Sequence, residues 1–210
     1  MAHPSWLRVC ASLLCALTVS FATTAQAAEA DVRRIWQLLD YLAVDYGGAI
    51  KNGSVASASE YEEMREFAKT SQSKMAALEP HPERAALVAE AQSLSVAIEA
   101  KKSSEEVAAL AKALANHLLS AYPVPSAPPT PPLVAKAAAM YQAQCAACHG
   151  ATGNGDGPIG LKLNPRPVAF THKDRARERS AFALYQAISQ GIEGTAMPGF
   201  ATIPESDRWA

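Results

Sequence analysis

Between residues 31 and 46 the chain reads "DVRRIWQLLDYLAVDY", and Val32, Ile35, Leu39, Leu42 and Tyr46 recur at the three-to-four-residue spacing of one helical face. Gly47 and Gly48 follow and predict its end. A second helix is expected to start at Ser59, which with Glu62 has capping-box spacing, and to carry Tyr61, Met64, Ala68, Met75 and Leu78 inward until "PHP" at 80–82 stops it. A third runs from about Glu83 to Ala100, with Leu87, Ala91, Leu94 and Ile98 as its stripe. Ser103 and Glu106 open a fourth, lined by Val107, Leu110, Leu114, Leu118 and Ala121. Four amphipathic helices with short connections cannot bury their stripes singly, so the pattern predicts an all-α, antiparallel four-helix bundle over residues 28–122.

The pattern breaks at "PVPSAPPTPP", residues 123–132, where six of ten residues are proline. Polyproline geometry at ~3.1 Å per residue predicts a semi-rigid spacer of about 30 Å and a second domain beyond it. Ahead of the helices, Arg8, an apolar run from Val9 to Phe21 and the small residues up to Ala27 have the layout of a secretory signal peptide over residues 1–27. About a dozen apolar residues are too few to span ~30 Å of hydrocarbon. Cleavage removes Cys10, Cys15 and Arg8, leaving 18 basic against 20 acidic residues and only Cys145 and Cys148. The acidic balance excludes a nucleic-acid partner, which needs a basic surplus or patch.

The chemistry gathers in "QCAACHG", residues 144–150. A zinc site needs four ligands, and His172 is the only later histidine. A thioredoxin-type dithiol belongs in a βαβ setting that the helical pattern lacks. The remaining reading is a single covalent haem c: Cys145 and Cys148 add to its vinyl groups, and the same turn carries His149 to the iron.

Residues 133–210 resemble a class I c-type cytochrome domain in "MYQAQCAACHGATGNGDGPIG", with Tyr141 ahead of the tether and a glycine-rich loop behind it. "GTAMPGF", residues 194–200, is similar to the loop that supplies the sixth ligand in that family, which implies Met197 as the second axial ligand of the haem iron. His172 is the rival. The resemblance also implies that Pro165, Arg166 and Pro167 border the haem edge, where a backbone carbonyl accepts the proximal histidine's Nδ1 proton. "IPESDRWA" reads as a helix start at which the family's C-terminal helix is cut after one turn.

"WQLLDYLAVDY" with "SASEYEEMREF" resembles the amino-terminal periplasmic region of bacterial proteins in which a cytochrome c domain precedes a high-affinity ferric iron permease. This resemblance implies an exported, periplasmic electron carrier rather than an enzyme. Its expected partners are a redox protein, ferrous or ferric iron, and a permease membrane domain in a longer chain. The alternative is an iron- or partner-binding helical module whose haem does not cycle. Glu62, Glu63 and Glu66, with Glu60, crowd the start of the second helix; they suit either a solvated first turn or an iron-contacting carboxylate surface. His117, beside the fourth stripe, reads as a packed or half-exposed histidine.

Overall fold

The structure, a computed structural model, describes the backbone from residue 6 and side chains from residue 28 to residue 210. The expected leader, with its cleavage near Ala27 and its cysteines Cys10 and Cys15, lies outside the residues whose side chains are described. Helix α1 spans Trp6–Ala49, α2 Ala58–Ala77, α3 Arg84–Glu99 and α4 Ser104–Ala121. Helix α1 packs on α2 and α4, α2 on α3, and α3 on α4, so the four helices close a ring around one core. Its centre is built by Ile35, Leu39, Leu42, Met75, Leu87, Leu94, Leu114 and Leu118, each fully buried. Among the described residues no helix is long and apolar enough to cross a membrane.

Three local expectations change. Helix α1 runs through Gly47 and Gly48 because those glycines serve packing rather than termination: a Cβ on Gly48 would meet Glu60 Oε2 at 2.8 Å. The chain turns instead at Asn52 (φ 52°) and Gly53 (φ 72°), a tight hairpin that pairs β1, Ile50–Lys51, antiparallel to β2, Ser54–Val55. Asn-Gly between short strands is the strongest local hairpin signal, and it lies in plain view at residues 52–53. The cap of α2 is Ser57, whose Oγ accepts from the Glu60 N–H at 3.4 Å, two residues before the expected Ser59. On α4 the buried position is Ala111, while Leu110 is 37 % exposed. The Ser103 cap of α4 is as expected, its Oγ accepting from Glu106 N–H at 3.2 Å.

Helix α5 is Val134–Gln144, α6 Ala146–His149, α7 Lys173–Arg177, α8 Ala181–Gln190 and α9 Glu205–Arg208, with a 3₁₀ turn at Gly160–Lys162. The one-turn α9 packs on α5 and α8, and Lys136 Nζ meets Asp207 Oδ2 at 2.6 Å. The proline-rich segment does not hold two separate bodies apart. Tyr122 and Val124 fold onto the bundle core, and Tyr122 donates its hydroxyl to the Glu79 carbonyl at 2.8 Å. Beyond the segment, α8 packs against α1.

That contact has an aromatic and an ionic half. Trp36 of α1 lies 4.6 Å from Phe182 of α8, and the Arg33 guanidinium of α1 lies 5.5 Å over the Tyr185 ring of α8. Arg179, just before α8, reaches Asp40 at 2.5 Å and also pairs with Asp45, while its guanidinium lies 4.7 Å over Tyr41. These three charged side chains are between 11 % and 23 % exposed. The charged run "KDRARERS" therefore supplies an interdomain clamp at Arg179.

Candidate haem site

Helix α5 delivers the tether. The Cys145 N–H donates to Tyr141 O at 2.9 Å, and the next turn closes with Cys148 N–H and His149 N–H both donating to Cys145 O, at 3.1 and 2.9 Å. One backbone carbonyl thus gathers both cysteines and the histidine on a single turn. Gly150, at φ 80°, ends it, and Tyr141 donates its hydroxyl to the Gly150 carbonyl at 2.7 Å. The loop that follows returns against the turn: Ile159 N–H donates to Ala147 O at 3.0 Å. A Cβ on Gly160 would stand 2.1 Å from the Cys148 carbonyl oxygen, so only glycine permits this approach.

The imidazole of His149 stacks on Phe170, centroid to centroid 4.6 Å at 17°. Its Nδ1 is buried and makes no well-formed hydrogen bond. Burial lowers the pKa of the ring, and the backbone of Val168 pulls in the opposite direction, so that carbonyl stands nearest to serving as the Nδ1 acceptor. The resemblance pointed to Pro165, Arg166 and Pro167 for this edge. Pro167 is half-buried and touches the loop, its carbonyl oxygen 2.5 Å from where a Cβ on Gly155 would stand, whereas Pro165 and Arg166 are exposed. A neutral imidazole is the form that ligates a metal.

Cys145 and Cys148 are free and half-buried. The Cys145 thiol is pushed up by burial and then by its neighbour Cys148, the reverse of the depressed pKa of a reactive dithiol. No group of three or more His, Cys, Asp or Glu side chains able to hold a metal ion forms among the described residues. Ile159, Leu161, Val168 and Phe170, next to the tether, are between 38 % and 52 % exposed. Two thiols and an imidazole on one turn and a rim of exposed apolar side chains together fit a haem, a flat apolar cofactor held by covalent anchors and one nitrogen.

Met197 lies half-buried on a separate loop. Ile192 N–H donates to the Met197 carbonyl at 3.1 Å, Gly191 pairs with Pro198, and the Met197 N–H donates to Thr195 Oγ1 at 3.1 Å. His172 is exposed at the start of α7. Among the carboxylates of α2, Glu62 is held by Arg65 at 2.8 Å, and Glu66 accepts from Thr70 at 3.5 Å. Glu63 is half-buried, and its carboxyl is pushed up by burial and by Asp45 and Glu60. Its Oε1 stands 4.0 Å from where a Cβ on Gly194 would be, beside the Met197 loop. His117, half-buried, faces Glu90 at 2.9 Å and Glu83 at 3.3 Å, away from the site. Phe170 escaped the sequence reading, because no local pattern marks which aromatic will lie on the tether histidine.

Residues 22–125 match the family model "Iron permease-associated 4-helix bundle domain". Residues 132–210 match the model "Cytochrome C oxidase, cbb3-type, subunit III". No curated protein matches the chain. Among solved structures, a chain of the Kuenenia stuttgartiensis reducing HAO-like protein complex is 25 % identical, with 50 % of this chain and 55 % of that chain covered and a TM-score of 0.35. The chain thus spans about half the length of that protein.

Proposed function

We propose that this chain, which belongs by its two matched segments to the iron permease-associated four-helix bundle and cytochrome c families, is the exported electron-transfer part of a ferric iron uptake system. The observation that carries the reading is the single turn of Cys145, Cys148 and His149, in a cytochrome c domain that shares its chain with a permease-associated bundle. Bound there, a haem supplies one-electron cycling of its iron.

The chain's own residues define how that electron is held. Cys145 and Cys148 anchor the cofactor covalently, so it stays in place through repeated turnover. His149 offers a neutral nitrogen whose orientation is fixed by the Phe170 stack. Met197, on its own hydrogen-bonded loop, offers a thioether, and thioether with imidazole raises the reduction potential and favours electron acceptance. His172, exposed at a helix start, is the less suited sixth ligand.

Ferrous iron is the proposed electron source and ferric iron the cargo of the permease. Hard carboxylate oxygens favour the ferric product. Of Glu62, Glu63 and Glu66, Glu63 is the one beside the Met197 loop, so its loss is expected to matter most. The test mixes the oxidised full-length protein with ferrous iron in the absence of oxygen and follows haem reduction by its visible spectrum. Reduction of the wild type, slowed in a Glu62→Gln/Glu63→Gln/Glu66→Gln variant, supports the reading. A wild type that stays oxidised refutes direct acceptance from ferrous iron, and an unslowed variant makes the carboxylates a solvated face only.

A further inference from the structure

Gln37 is a buried polar side chain of α1, only 2 % exposed. Its Nε2 donates to the Gly191 carbonyl at 2.9 Å, across 154 residues of sequence. Gly191 is where α8 hands over to the Met197 loop, at φ 73°, and a Cβ there would stand 2.6 Å from the Met197 carbonyl oxygen. The amide is itself held: Arg34 Nη1 donates to Gln37 Oε1 at 3.0 Å, and Arg34 Nη2 reaches Glu193 on the same loop at 2.8 Å. Two adjacent turns of α1 therefore grip both ends of the segment Gly191–Glu193, from which the Ile192 N–H holds Met197.

From this we infer that the four-helix bundle sets the position of the sixth-ligand loop, with Gln37 as its positioning residue. The inference rests on the proposed ligation by Met197. A buried carbonyl that loses its only side-chain donor is left unsatisfied, and the loop gains reason to move toward water. The iron ligation then depends on a helix of another domain, and any partner that disturbs α1 is felt at the cofactor.

The experiment uses full-length holoprotein and cyanide as a probe that binds ferric haem only when the sulfur is off. Apparent cyanide affinity scales with that open fraction. Gln37→Leu removes the donor, and Gln37→Glu, which keeps the shape and retains Arg34 as partner, removes it with less risk to folding. Both are expected to weaken the far-red sulfur-to-iron band and to tighten cyanide binding about tenfold, the factor that one buried hydrogen bond represents. Ser103→Ala, which loosens the bundle at the α4 cap, should leave both readouts unchanged. If Met197→Ala abolishes the band while both Gln37 variants keep wild-type band and cyanide affinity, the positioning role is overturned and the ligation stands. If the wild type has no such band and Met197→Ala changes nothing, the ligation reading fails and the inference falls with it.

Discussion

Replacing Arg179 by Met tests whether the two domains are clamped by charge. At an effective dielectric of ~20, each guanidinium–carboxylate pair at about 4 Å between charge centres attracts by roughly 4 kcal/mol. Desolvating three ions takes back most of that, and what a deletion exposes is the cost of leaving Asp40 without its cation beside Asp45, which keeps only the exposed Arg175 at 3.3 Å. For buried pairs this is ~3–5 kcal/mol. With Asp40 at 18 % and Asp45 at 23 % exposure, the lower end, about 3 kcal/mol, is expected at pH 7. For a chain of this size that is a drop of roughly 6–12 °C in Tm.

The pH dependence carries a sign. Asp40 already sits above its ordinary value of 3.8, because burial outweighs the pull of Arg179, and removing the guanidinium raises it further. An acid with a raised folded pKa binds its proton more tightly when folded, so its destabilising contribution grows as pH rises from 3.8 through the folded value. The variant's deficit should therefore be largest at pH 7 and shrink as pH falls toward 4, where protonation of Asp40 relieves the uncompensated charge. Thermal unfolding followed by far-UV circular dichroism at several pH values reads this directly. Asp40→Asn added to Arg179→Met should recover much of the loss. A deficit under about 0.5 kcal/mol, or one equal at pH 4.5 and pH 7, refutes the clamp.

Two further outcomes follow from the site and the core. Cys148→Ala should weaken retention of haem through acid-acetone extraction, which the wild type should survive; free extraction from the wild type ends the covalent reading. Leu118→Ala, at a fully buried position where α4 meets the core, should cost ~2–5 kcal/mol in denaturant unfolding without altering the spectrum of the haem domain.

What could be read from the sequence is what neighbours in the chain decide. The stripes of α1 to α4 follow helical period, the Ser103 cap follows a three-residue spacing, and the tether turn is complete within Cys145–His149. What could not be read is decided by contacts far apart in sequence. Arg179 meets Asp40 across 139 residues, and an arginine in a mixed-charge run carries no mark of that partner. Gln37 looks like an ordinary polar position on an apolar helix until Gly191 arrives. Gly47 and Gly48 misled for a related reason: a glycine pair signals a stop only when nothing crosses the helix there, and Glu60 does.

The proline-rich segment acquires a different meaning once Tyr122 and Val124 are seen on the bundle and Arg179 against α1. A short leash between two surfaces that already fit converts their encounter into an intramolecular event at high effective concentration. Its length and stiffness then set how often the surfaces meet, while their own contacts set the pose. The cytochrome c domain is a docked body rather than a swinging arm, and its separation from the bundle is set by the side-chain contacts of Trp36, Phe182 and Arg179.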